Sequence, residues 1–335
     1  MTEQIVLIPD RLTLPANIEE RIFGNETKII TPCALQSSEI SDSMWQSANV
    51  ILAWHEIDYT SEVINKLINC KVIVRVGVGF DNVDLAAAGR MGIPVCNVPD
   101  YGTNDVADHA VGLFLTLARG LSRFNDSIRN AKAWDWNAGG VLRRIHNSTI
   151  GIIGLGRIGT AVALRAKAFG MNVIFFDPYI PDGQDKALNI ERSRSLDSLL
   201  NKSDVVSIHT PLTLETKGMA NKSFFDSMKR GSVFINTARG AIMDLDALAD
   251  ALFDNHIESA GLDVLPTEPP DLSHPLFKAW QDSKSDIYGR LIITPHSAFY
   301  NEESYLEMRE KAASEAKRVL DGENPQNCVN NDYLL

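Results

Sequence analysis

Three glycines, one aspartate, one arginine and one histidine stand where their types and spacing could do chemistry. Gly154, Gly156 and Gly159 lie in T-I-G-I-I-G-L-G-R-I-G (149–159), and Asp177 follows eighteen residues after Gly159. An apolar run enters the glycine turn, a helix-like stretch leaves it, and a second apolar run ends at Asp177. This pattern fits a dinucleotide. Gly154 permits the tight turn, Gly156 lets backbone N–H groups approach a pyrophosphate, and Gly159 lets helix and strand pack closely. Arg157 and Ile158 open the helix, whose N-terminal N–H groups and dipole face the phosphates. Asp177 would accept hydrogen bonds from the adenosine ribose hydroxyls.

Two later segments offer partners for such a cofactor. F-I-N-T-A-R-G (234–240) is an apolar run ending at Arg239, and L-I-I-T-P-H (291–296) ends at His296. Ligands of open α/β sheets bind at the carboxyl ends of strands. A guanidinium there can hold a carboxylate at two points, although Arg239 alone reads equally as a surface ion-pair partner. Imidazole titrates near neutrality and can move the proton when a carbonyl becomes a hydroxyl, although an isolated histidine is more often structural. Asp263 and Glu268, between the two, could supply a carboxylate to orient the ring. His209 ends another strand and reads as a positioning residue, with Thr210 and Pro211 after it as cofactor contacts. His109 reads as structural within a helix, and Trp134 and Trp136 either as loop anchors packed on their own domain or as aromatics that reach a neighbouring subunit's active site.

The elements that must hold these residues alternate. Strands are predicted near 5–8, 28–30, 50–53, 72–76 and 94–98, then a long helix over 104–131. A loop over 134–147 follows, then strands near 150–154, 172–176, 204–208, 232–236, 258–262 and 291–294. Residues 278–290 read as a surface excursion and 301–320 as a helix. Strands alternating with helices imply parallel sheets covered on both faces. The chain has 335 residues, enough for about two domains, with 44% hydrophobic and 22% charged residues. A net charge of -11 disfavours nucleic acid and anionic membranes as partners. Four scattered cysteines give neither a disulfide framework nor zinc-ligand spacing, so no metal is expected. The N-terminus shows no secretory pattern, which makes the cytoplasm the expected location.

G-L-G-R-I-G…D, N-T-A-R-G, D-V-L-P-T-E-P and T-P-H, in this order, resemble the D-isomer-specific 2-hydroxyacid dehydrogenase family from about residue 50 onward. The resemblance implies an α/β fold of two doubly wound parallel-sheet domains. These are a Rossmann NAD-binding domain over 100–297 and a discontinuous flavodoxin-like substrate domain over 1–99 and 298–335, with the site in a cleft between them. It further implies that Arg239 binds the substrate carboxylate and carbonyl, Glu268 supports His296, and His296 is the acid/base. Asp263 would lie near the nicotinamide carboxamide. Thr237 and Ala238 would contact the cofactor, and Val78 and Gly79 of R-V-G-V-G would hold the carboxylate through their amides. Tyr101 and Phe299 would line the substrate pocket.

G-F-D-N-V-D, V-C-N-V-P and T-P-H-S-A-F-Y-N-E-E-S are most similar to the C-terminal-binding-protein branch and its prokaryotic dehydrogenase relatives. Phe299 stands where that branch carries a tryptophan, and the long tail of its eukaryotic corepressors is not in this sequence. The implied activity is hydride transfer between NADH and C2 of a small 2-oxo acid. The rival reading is an NAD(H)-sensing corepressor-like regulator. NAD is expected over NADP, because 178–182 supply no arginine or lysine beside Asp177. A homodimer is expected through the helix after Asn104, whose Val106, Ala110, Val111, Leu113, Phe114 and Leu117 need apolar cover.

Overall fold

Short apolar runs rich in valine and isoleucine form inner strands such as 50–53, 72–75, 150–153 and 205–208, buried on both faces as parallel sheets under helices require. The computed structural model describes residues 4–10, 12, 15–131 and 134–334. The chain divides into two compact units, Met1–Gly102 with Tyr300–Leu335, and Thr103–Phe299.

The first unit carries β1 (Gln4–Leu7), β2 (Thr27–Ile30), β3 (Val50–Ala53), β4 (Val72–Arg75) and β5 (Val95–Cys96). They form a parallel sheet of order β2-β1-β3-β4-β5, the flavodoxin-like arrangement. The helix Glu302–Leu320 returns to this unit, started by a capping box between Asn301 and Ser304. Its Arg309 is buried and meets Glu19 at 2.9 and 2.6 Å and the Pro15 carbonyl at 2.7 Å. One buried fork thus fixes the last long helix on the unit begun three hundred residues earlier.

The second unit carries β6 (Thr149–Ile153), β7 (Asn172–Phe176), β8 (Glu191–Arg192), β9 (Val205–Ile208), β10 (Ser232–Asn236), β11 (Ile257–Leu262) and β12 (Leu291–Ile293). All pair in parallel, in the order β12-β11-β10-β9-β6-β7-β8. The winding direction reverses between β6 and β9, and this switch point opens a crevice at the strands' carboxyl ends.

Four expectations change. The helix predicted over 104–131 stops at Ala118, and a shorter helix, Leu121–Asp126, starts after Gly120. Gly120 takes φ 62, and a Cβ there would meet Leu142 at 2.9 Å. The apolar residues Val106, Ala110, Val111, Leu113, Phe114 and Leu117 need no second subunit, since all are buried inside their own chain. Their helix packs on the helix Arg157–Ala168 and on β10 and β11. Trp134 and Trp136, expected to pack on their own domain, are 92% and 83% exposed. Residues 278–290 are not all surface, for Ile287 and Arg290 are buried, and Arg290 donates to the Glu258, Leu252 and Ile257 carbonyls. No helix among the described residues is long and apolar enough to cross a membrane.

Candidate active site

The glycine turn leaves β6 at the switch point. Gly154 has φ 88, and a Cβ there would lie 2.7 Å from the His209 carbonyl, so the turn packs against the end of β9. A Cβ on Gly159 would lie 2.0 Å from the Gly154 carbonyl, so the helix Arg157–Ala168 could not sit so close with any side chain there. Gly156 differs, because a Cβ on it would meet nothing within 4 Å. The protein's own packing requires the first and third glycines. The middle one opens onto free space at the N-cap of that helix, where no side chain among the described residues caps the N–H groups. This is the cradle a pyrophosphate fits.

Asp177 follows β7. Its Oδ2 accepts from the Leu155 amide at 2.8 Å and its Oδ1 from the Tyr179 amide at 2.9 Å, which fixes the carboxylate beside the glycine turn. Behind it stands Arg192 of β8, a contact the sequence concealed. Its guanidinium donates to the Asp177 carbonyl at 2.9 Å, the Ile180 carbonyl at 2.6 Å and Asp182 at 3.0 Å. Arg194 also reaches Asp182, at 3.3 Å. The nearby positive charges are therefore engaged with Asp182 and with loop carbonyls. Two polar, short-strand residues gave no strand signal in the sequence, so neither β8 nor this clamp was foreseen.

At the end of β9, His209 accepts from or donates to Ser207 Oγ at 2.8 Å, and desolvation pushes its imidazole down to about 4, so it is neutral at ordinary pH. The buried hydroxyls of Thr210 and Thr237, at the ends of β9 and β10, meet no partner among the described residues. Orphaned buried hydroxyls are uncommon in folded proteins. Thr210 lies against the glycine turn and Thr237 at the end of the next strand but one, and both suit the polar edges of a dinucleotide.

Arg239, Glu268 and His296 come from the loops after β10, β11 and β12, three neighbouring strands. The Arg239 loop is tied by Asn236, which is fully buried. Its Oδ1 accepts from the Ala238 amide, and its Nδ2 donates to the Arg239 carbonyl, each at 3.0 Å. Gly240 then lets this loop press on the next, since a Cβ there would lie 1.9 Å from the Leu265 carbonyl carbon. Asn236 is a functional residue the sequence reading missed; its trace is the one amide at the end of an apolar run.

Glu268 Oε2 lies 2.8 Å from His296 Nδ1, and Oε1 accepts from the Leu265 amide at 2.8 Å. A carboxylate only accepts, so Nδ1 carries a hydrogen, and Nε2 is the ring's other nitrogen. His296 holds φ 51, a left-handed conformation costing about 1–3 kcal/mol for such a residue. Asp263 sustains it. Its carbonyl accepts the His296 amide at 2.8 Å, and its carboxylate accepts the Ser297 and Ala298 amides, each at 2.9 Å. The Asp263 side chain, expected at the nicotinamide, is thus engaged with the His296 turn. Phe299, the last residue of this unit, is half-buried.

In the first unit, Val78 and Gly79 follow β4. The Gly77 carbonyl accepts the Val98 amide at 3.0 Å, and the Val78 carbonyl accepts Asn97 Nδ2 at 2.7 Å. The loop's carbonyls are thereby fastened while the Val78 and Gly79 amides donate to no group among the described residues. Arg75, just before this loop, is buried and its guanidinium fills the space a Cβ on Gly77 would need. The sequence reading passed over this cation because it lies inside the strand. Tyr101 is half-buried near the end of this unit.

Residues 111–298 match the family described as D-isomer specific 2-hydroxyacid dehydrogenase, NAD binding domain. C-terminal-binding protein 1 of Caenorhabditis elegans is 34% identical over 316 residues, covering 90% of this chain and 42% of its own length. D-3-phosphoglycerate dehydrogenase of Bacillus subtilis is 35% identical over 272 residues, covering 81% of this chain and 49% of its own length. The chain thus spans about half the length of these curated relatives. Among solved structures, D-lactate dehydrogenase from Aquifex aeolicus, complexed with NAD and lactic acid, superposes with a TM-score of 0.84. It is 29% identical and covers 95% of this chain and 96% of that one.

Proposed function

We propose that this chain, which belongs to the D-isomer-specific 2-hydroxyacid dehydrogenase family, is an NAD-dependent reductase of small 2-oxo acids. The observation that carries the reading is the Glu268–His296 pair at 2.8 Å, on a strand end two removed from the Arg239 loop in the NAD-binding unit. Bound NADH supplies the hydride to C2 of the oxo acid. Arg239 holds the carboxylate and polarises the carbonyl. His296, as imidazolium, gives the Nε2 proton to the developing alkoxide. Glu268 accepts from Nδ1 and holds the ring in place. Gly154, Gly156, Gly159, Thr210 and Thr237 shape the dinucleotide cradle. Asp177 selects NAD(H), because its fixed carboxylate accepts from ribose hydroxyls and repels a 2′-phosphate.

The corepressor-like reading has one support, the similarity to C-terminal-binding protein 1. The intact Arg239, Glu268 and His296 set favours the enzyme. We place the protein in the cytoplasm as a homodimer, joined through exposed apolar residues of 121–141: Leu121, Ile128, Trp134, Trp136 and Val141. The test is oxidation of NADH and NADPH against glyoxylate, hydroxypyruvate, pyruvate and bulkier 2-oxo acids, with His296→Ala as control. The expected result is turnover of at least one acid, a clear preference for NADH, and a roughly hundred- to ten-thousandfold fall in kcat for the variant. No turnover across the panel, or near-wild-type turnover by His296→Ala, overturns the reading.

A further inference from the structure

The helix Thr103–Ala118 sends one polar ring to the back of the His296 turn. His109 Nε2 lies 2.9 Å from Thr294 Oγ1, and Thr294 Oγ1 lies 2.5 Å from Asp263 Oδ1. The direction of these bonds follows from their end. Asp263 accepts backbone amides at both carboxylate oxygens, so the Thr294 hydroxyl must spend its hydrogen on Asp263. Its oxygen is then the acceptor, and His109 Nε2 must be the donor. One chain runs from His109 through Thr294 to Asp263, which in turn holds the amides of Ser297 and Ala298, the two residues that follow His296. His109 stands 3.7 Å from Asp263 Oδ1 and reaches it through the threonine hydroxyl.

We propose that His109 is a positioning residue for His296, acting through Thr294 and Asp263. The inference rests on the acid/base reading of His296. A hydroxyl can rotate among three staggered wells. Donation from His109 pins the Thr294 rotor in the one that serves Asp263. The Asp263 carboxylate then keeps the orientation that grips both amides, and the left-handed backbone of His296 stays over-determined. Without His109, the Thr294 hydroxyl gains other orientations, the grip on the turn loosens, and the imidazole samples positions off the reacting carbonyl. Small displacements of a catalytic group cost rate far more than binding.

The test compares His109→Phe, His109→Gln, Thr294→Val and the double variant His109→Phe/Thr294→Val. His109→Phe is expected to lower kcat roughly tenfold, with KM for NADH nearly unchanged. His109→Gln keeps an N–H donor and is expected to recover most of the loss. The double variant is expected to be no worse than Thr294→Val alone, because one chain is cut twice. Histidine ring NMR gives a readout that needs no turnover. His109 should carry its hydrogen on Nε2, and the His296 ring signals should broaden or split in His109→Phe and sharpen again in His109→Gln. Wild-type kcat in His109→Phe, additive losses in the double variant, or an unchanged His296 ring overturns the proposal. If the wild-type chain turns over no 2-oxo acid, the acid/base reading fails separately, and the ring signals still decide whether His109 positions His296.

Discussion

Replacing Glu268 by glutamine removes a charge while keeping an oxygen that can accept from His296 Nδ1, so it isolates electrostatics from geometry. The pair is 2.8 Å apart, and the two side chains are 31% and 35% exposed. Unit charges about 4 Å apart interact by about 1 kcal/mol in water and about 4 kcal/mol near a protein surface. Partial exposure places this pair toward the lower end, about 1–2 kcal/mol. Lost from the productive complex, that energy lowers kcat/KM for the 2-oxo acid by roughly five- to thirtyfold at a fixed pH. The KM for NADH should change little. The assay is NADH oxidation with the 2-oxo acid varied at saturating cofactor. An unchanged kcat/KM, or a loss confined to the KM for NADH, would refute the claim that the carboxylate's charge acts on the ring.

Arg239→Lys keeps the charge but loses the planar two-point fork, so kcat/KM for the 2-oxo acid should fall roughly ten- to hundredfold; a loss confined to the KM for NADH would make Arg239 a cofactor ligand. His209 is neutral in the fold, pushed down to about 4, while an unfolded chain titrates near 6.5. Between those values the unfolded state binds the extra proton, so stability falls with falling pH, by about 2 kcal/mol between about pH 7 and about pH 5. His209→Asn should flatten that part of the Tm profile, and an identical pH slope in variant and wild type would show the ring is not the cause. Light scattering should give about twice the 37.0 kDa chain mass, and Trp134→Asp with Val141→Asp should shift it toward one chain. A single-chain mass for the wild type at micromolar concentration would remove the homodimer.

Sequence alone determined what is local. The glycine spacing, the apolar runs and the polar residue ending each run are short-range signals. The strand–turn–helix itself requires glycine at 159, where a Cβ would strike the Gly154 carbonyl, and favours it at 154 through the left-handed backbone of the turn. The same logic located Arg239 and His296, because each sits directly past a strand of β-branched residues. Tertiary structure decided what depends on partners distant in the chain. The apolar face of Thr103–Ala118 reads the same whether a second subunit or its own sheet covers it, and here its own sheet does. A lone glycine is tolerated inside a helix, so only the left-handed backbone of Gly120 and its crowding against Leu142 revealed the break. Arg192 holds Asp177 from a two-residue polar strand with no periodicity to read. His109 lies 185 positions from Thr294, and no spacing rule links a helix ring to a strand-end hydroxyl. Hydrogen-bond direction is a property of three groups meeting in space, and it is fixed only when the fold brings all three together.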